Sequence, residues 1–273
     1  MDQTGTNLKH ASVKSAVCLA LMSVGSVAGV KDDQTEREVT FKTSDGWQVI
    51  GYLHVPQSKH KVPAVLLVHG SRHESDAYGN LTAPGMPRTL SQHGVATLRF
   101  DIRGRGASRE PRDFNSMAPE ERARVALDIE AAIKFLASQQ GVDARRIGVV
   151  AEQDSTTAAI RTGAKDHRVQ AFVLISGRLN QSAKHAIVAS SAPILCLVSK
   201  EDRRGFQDMT DAFLASKSKR SRIKVFEGLA LGTTMFSTWR NEFPRQQPID
   251  EMAATWLADV LKSGSTVRKR KAH

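Results

Sequence analysis

One stretch constrains this chain more than any other: Arg146-Ile-Gly-Val-Val-Ala-Glu-Gln-Asp-Ser-Thr-Thr-Ala-Ala-Ile160. Its apolar run (Ile147, Val149, Val150) stops at small and polar residues, as a buried strand does. The Ala-rich segment from Thr156 has the makings of a helix packed beneath that strand. The turn between them is Ala151-Glu152-Gln153-Asp154-Ser155, with Gln153 at its centre. A glutamine amide has no acidic proton to give up and no usable lone pair on nitrogen. It cannot attack a carbonyl as an activated serine does.

The rest of the chain supplies strands and helices in alternation. Residues 36–43 and 47–55 alternate apolar with polar side chains around Ser44-Asp45-Gly46, which predicts an antiparallel hairpin. Residues 63–70 are continuously apolar up to His69, a strand buried on both faces. A long loop to about Pro87, a helix over 86–93 and a strand over 95–101 follow. Pro119, Glu120 and Glu121 suit the first turn of a helix. Val125, Ile129, Ala132, Ile133 and Leu136 give that helix one apolar face, and Gly141 ends it. Further strands are expected over 170–175, 193–198 and 222–226. A last helix is expected from near Pro248, with Met252, Trp256, Val260 and Leu261 inward. The pattern predicts one α/β domain over 35–262, a mostly parallel doubly wound sheet with an N-terminal antiparallel hairpin.

Both ends read differently. Lys9 and Lys14 precede a short apolar run that closes on Ser26-Val27-Ala28, with small residues at −3 and −1 of a cleavage position. Residues 1–30 therefore read as a signal peptide, implying a periplasmic or secreted protein. The alternative is a disordered extension of a cytoplasmic one. Residues 263–273 read as a basic disordered tail. The net charge of +11 gathers there, at 103–112 and at 217–224. With no aromatic residues interleaved for base stacking, no specific nucleic-acid partner is expected. Weak contact of the tail with anionic surfaces stands as a third role. The two cysteines, Cys18 and Cys196, make no disulfide framework and no C-x-x-C zinc site. No metal-ligand set, Walker loop or G-x-G-x-x-G is present, so neither metal nor cofactor is expected.

Several motifs in order resemble the α/β-hydrolase family, in particular its dienelactone-hydrolase and prolyl-oligopeptidase-like esterase branches. They are the hairpin, Val68-His69-Gly70, Asp101-x-Arg103-Gly104-x-Gly106-x-Ser108 and Val142-Asp143-Ala-Arg-Arg146-Ile147-Gly148. The resemblance implies that the turn at Gln153 is the elbow on which such enzymes hold a nucleophile. It puts the acid position at Asp202, in Lys200-Glu201-Asp202. The histidine position falls on Leu231, in Glu227-Gly228-Leu229-Ala230-Leu231-Gly232-Thr233. Two of three triad members are thus substituted at independent places. The resemblance also implies oxyanion donors from the loop His69-Gly70-Ser71 and from the Asp154 N–H.

Glu152 and Asp154 flank the turn, where negative charge opposes an oxyanion. Their alternative roles are an N-cap at Asp154 or Ser155, worth about 1 kcal/mol, and a solvent-facing Glu152. Three rescues of catalysis stand open: Ser155 as a displaced nucleophile, Glu152 as a carboxylate nucleophile, and His73 as a histidine supplied from the loop. The expectation is an α/β-hydrolase-fold protein without serine-hydrolase activity whose cleft takes a small ester, acid or peptide-like ligand. The rival is an active carboxylic-ester or peptide hydrolase built on Ser155 or Glu152.

Overall fold

A computed structural model describes residues 35–269, with side chains to residue 263. The expected leader over 1–30 and the last four residues of the tail lie outside the described residues. Eight strands form one sheet: β1 (Arg37–Lys42), β2 (Gln48–His54), β3 (Val62–Val68), β4 (Ala96–Phe100), β5 (Val142–Glu152), β6 (Val169–Ile175), β7 (Ile194–Ser199) and β8 (Arg222–Phe226). Their spatial order is β1-β2-β4-β3-β5-β6-β7-β8. β2 is antiparallel to β1 and to β4, and every pairing from β4 through β8 is parallel. The hairpin turns at Gly46, whose φ of 85° suits a residue without a Cβ.

Helices cover both faces, as a parallel sheet requires. They are α1 (Met86–Gln92), α2 (Pro119–Arg122), α3 (Val125–Ser138), α4 (Ser155–Gly163), α5 (Gln181–Ala189), α6 (Arg203–Ala215), α7 (Thr234–Glu242) and α8 (Ile249–Lys269). The period-2 alternation of the central strands divides the core. Ala64, Leu66 and Val68 of β3 and Ile147, Val149 and Ala151 of β5 pack with α3 to α6. Val65, Leu67 and Val150 pack with α1, α7 and α8. All seven β3 residues are buried, as the unbroken apolar run requires.

Two expectations need correction. The helix predicted from Pro119 is two: α2 ends at Arg122, and α3 starts at Val125, where the apolar periodicity begins. The basic tail does not begin at 263, because α8 continues to Lys269 through Gly264, which is tolerated inside a helix at about 1 kcal/mol. The inward face of α8 is Ile249, Ala253, Leu257, Val260 and Leu261, with Met252 and Trp256, as expected, packed against the same core while partly buried.

Candidate functional site

β5 runs into α4 through a turn whose apex, Gln153, has φ 45°. A non-glycine residue in this region is strained, and it persists because its surroundings fix it. The Gln153 N–H donates to Ile175 O at 2.9 Å, and Gln153 O accepts the Arg178 N–H at 3.0 Å. Ser176, at the end of the neighbouring strand β6, is itself left-handed with φ 47°. Thr156 and Thr157 hydroxyls both donate to Arg178 O, at 2.9 and 2.7 Å, and so clamp the first turn of α4 to this loop. The sharp strand-turn-helix foreseen from the sequence is therefore present, and it carries an amide.

Glu152 is fully buried, contrary to the expectation that it faces solvent. Its carboxylate gathers three segments of chain. Oε2 accepts the Gly70 N–H at 3.1 Å, and Oε1 accepts the Thr233 N–H at 2.6 Å and the Thr233 hydroxyl at 3.1 Å. His73 Nδ1 lies 3.0 Å from both oxygens. Burial pushes the carboxyl up, but the bonds from His73, Thr233 and Gly70 outweigh it and hold the carboxyl below its ordinary value. Glu152 in turn raises the proton affinity of His73 against the opposing effect of burial. Two of the residues weighed separately as rescues thus form one ion pair. Gly232, with φ 63°, is required here, since a Cβ on it would collide with Glu152 Oε1.

The remaining site candidates are each engaged. The Ser155 hydroxyl is buried and donates to His69 O at 2.7 Å. Asp154 does not cap α4, as expected of it. Its Oδ1 accepts the Ser71 N–H at 2.9 Å across the turn. His69 does not line a cleft: it is 0% exposed, with Nδ1 2.8 Å from Gly70 O and Nε2 accepting the Ile102 N–H at 3.1 Å. A carbonyl only accepts and an amide N–H only donates, so the ring is a neutral Nδ1–H tautomer; burial lowers its proton affinity accordingly. Cys196 is likewise inert, its thiol pushed up to about 12 by burial.

Asp202, at the expected acid position, caps α6 through the Gly205 N–H at 3.0 Å. It also holds Arg178 bidentately, at 2.9 and 2.7 Å. Arg178 was absent from the sequence reading, and Glu201 entered it only as the neighbour of Asp202; its Oε1 accepts the Gly228 N–H at 2.9 Å and ties down the segment leading to Leu231. Leu231 itself is 39% exposed. No motif flags either contact, because each partner lies 24 or more positions away in sequence.

Two hollows adjoin the turn. One, of about 570 Å³, is lined by His73, Tyr78, Thr233, Phe236 and Arg240. The Tyr78 hydroxyl, buried, donates to Val68 O at 2.9 Å and anchors the loop above it. The other, of about 340 Å³, is lined by Ser71, Ile102, Phe114, Val125, Asp154 and Ala158. Both fall at the carboxyl ends of parallel strands, where α/β sheets place ligands. Among the described residues no group of three or more His, Cys, Asp or Glu side chains is arranged to hold a metal ion.

Sheet order, strand polarity and elbow define an α/β-hydrolase fold, and solved structures agree. Dienelactone hydrolase from Anabaena variabilis matches with a TM-score of 0.61 at 20% identity, over 83% of this chain and 98% of its own. The carboxylesterase EstE1 matches with a TM-score of 0.64 at 16% identity, over 85% and 91%. The sequence profile of the family described as Esterase FrsA-like matches residues 20–253, and the chain belongs to that family. A thiohydrolase of Aspergillus aculeatus, aneE, is 26% identical over 157 residues, 58% of this chain and 46% of that protein. An uncharacterized protein of Mycobacterium tuberculosis, Rv2307c, is 30% identical over 139 residues, 51% of this chain and 44% of that protein. The chain thus spans about half the length of the curated relatives it matches.

Proposed function

We propose that this FrsA-like chain has left covalent serine-hydrolase chemistry and serves as a ligand-binding member of its fold, its cleft taking a small ester or acid. In this reading Gln153 stands at the nucleophile position, Leu231 at the histidine position and Asp202 at the acid position. One observation carries it. The backbone donors beside the elbow are filled by the chain's own carboxylates, Gly70 N–H by Glu152 and Ser71 N–H by Asp154. A substrate oxyanion would have to displace a negative charge from each donor, the reverse of the preorganisation that hydrolysis needs.

The rescues fit poorly with the geometry. The Ser155 hydroxyl is buried and spent on a carbonyl, and among the described residues no histidine side chain bonds to it. Glu152 is held by four donors, which lowers the nucleophilicity of a carboxylate as well as its proton affinity. The thiohydrolase name of a 26% identical relative brings thioesters into the panel of ligands worth testing.

The test is hydrolysis of p-nitrophenyl esters and short acyl thioesters by the natural chain, by Gln153→Ser/Leu231→His, and by the same pair with Arg178→Leu. The natural chain is expected to be silent while binding at least one member of the panel saturably. The double reversion is expected to remain slow, because Asp202 is still held by Arg178, and the triple variant to turn over faster. Turnover by the natural chain that Ser155→Ala removes would overturn the proposal.

A further inference from the structure

The 340 Å³ hollow does not end at the elbow. Its floor is apolar, with Ile102, Phe114 and Val125 buried beneath it and Ala158 of α4 on its wall, while Arg122, which also lines it, spends its guanidinium on the Met117 and Asn115 carbonyls. Ala126 and Arg161 line it, and the same two residues line a second hollow of about 620 Å³ farther along α3 and α4. That second hollow is cationic. Lys134 is taken up by Glu130 at 2.5 Å and Arg168 by Asp166 at 2.5 Å. Arg161 and Lys165 have no acidic partner among the described residues. Through these shared residues the two hollows adjoin as one trough, with an apolar floor at the elbow and with Arg161 and Lys165 toward its far end. At the inner end stands Asp154, its carboxylate directed to the Ser71 N–H.

This arrangement gives an occupant both a chemistry and a direction. An anionic head is repelled by Asp154 and attracted by Arg161 and Lys165, so it lies outward, and an apolar body lies inward on Ile102, Phe114 and Val125. We propose that the trough between α3 and α4 binds an amphiphilic anion, a short hydrocarbon chain carrying a carboxylate or phosphate head that pairs with Arg161 and Lys165. From Ser155 to Arg161 α4 advances about 9 Å at ~1.5 Å per residue, which sets the chain on the order of eight carbons. The proposal rests on the ligand-binding reading above and names its site and ligand class.

The experiment is calorimetric titration of the full chain with octanoate, octyl phosphate and octanol below their aggregation limits. Both anions are expected to bind saturably and to weaken with added salt, with octanol about tenfold weaker, the factor one charge-assisted contact carries. The tighter of the two anions identifies the head group. Arg161→Glu/Lys165→Glu is expected to lower anion affinity about tenfold or more while leaving octanol unchanged. Ala126→Trp, which plugs the junction of the hollows, is expected to remove anion binding altogether. Lys217→Glu, a charge change elsewhere on the surface, is the control and is expected to have no effect. Octanoate binding with undiminished affinity to the double charge reversal would sink the trough while leaving a ligand-binding cleft intact. No saturable binding of any of the three, nor of any ester or thioester in the earlier panel, would sink both.

Discussion

In the reading proposed above, the elbow after β5 and the acid position after β7 depart from hydrolase chemistry by opposite routes. At the elbow the backbone is kept and the side chain exchanged: the strand turns through φ 45° into α4, but the apex is Gln153. At the acid position the side chain is kept and its partner exchanged: Asp202 is present, 3% exposed, and committed to Arg178 and to capping α6. The first kind of change is written in the sequence, since an amide in place of a hydroxyl is a local fact. The second is visible only once β6 and β7 lie side by side, because it consists of a pairing. Two carboxylates flanking these positions, Glu152 and Asp202, are both held by structural donors.

If that comparison is right, the elbow is the more costly place to disturb. Glu152→Ala leaves the Gly70 N–H, the Thr233 N–H and the Thr233 hydroxyl without their acceptor and His73 without its counter-charge. Chemical denaturation is expected to show a loss of about 3–5 kcal/mol, the range for breaking a buried charged pair. A loss under 1 kcal/mol would mean that water replaces the carboxylate and that Glu152 is no hub. Arg178→Leu is expected to cost less, about 2 kcal/mol, since Arg178 is 24% exposed and Asp202 keeps the Gly205 N–H. Adding Asp202→Asn to Arg178→Leu should recover part of that loss. Strict additivity of the two would show that the pair is not coupled.

The fold was legible because hydrophobic periodicity is local. The unbroken apolar run of β3, the five-residue turn 151–155 and the period of α3 each specify their own element, and the motif order supplied the topology. What escaped were interactions between distant residues. A solvent-facing Glu152 was one of the roles open from the sequence, yet Gly70 and Thr233, 82 and 81 positions away, enclose it. Asp154 looked like a helix cap because it precedes α4, but the Ser71 N–H claims its side chain. His73 was singled out only as a loop histidine; its role was fixed by the acid that folding brings to it. The end of α8 was missed for a different reason, as Gly264 lowers helix propensity without abolishing it.

The pairing of His73 with Glu152 has a pH signature of its own. The affinity of His73 for its proton is raised on folding, so its contribution is complete below the ordinary histidine value of 6.5 and disappears as pH rises through the raised value. That of Glu152 is lowered, so its contribution is complete above 4.5 and disappears as pH falls through the depressed value. The pair is therefore strongest between those two limits. His73→Ala is expected to cost about 1 kcal/mol there, and the gap between variant and natural chain to close on the alkaline side. Parallel stability curves across that range would show that the contact is a neutral hydrogen bond.

The smallest effect is expected at Gln153 itself, and its sign is informative. Left-handed backbone costs a non-glycine residue about 1–2 kcal/mol, whereas glycine gives back about 0.5–1 kcal/mol through its freer unfolded chain. Gln153→Gly should thus stabilise the fold by about 0.5 kcal/mol if the side chain is idle. The side chain, however, lies between two glycines: a Cβ at Gly70 would sit 3.4 Å from its Oε1, and one at Gly232 would sit 2.8 Å from its Nε2. If the amide packs usefully there, Gln153→Gly destabilises instead, and the residue at the apex is a strut that fills the place of a nucleophile. Thermal melts of the two chains separate these cases. A rise in Tm would mark the elbow as a strained turn that folding tolerates without using its apex, and a fall would mark it as rebuilt around glutamine.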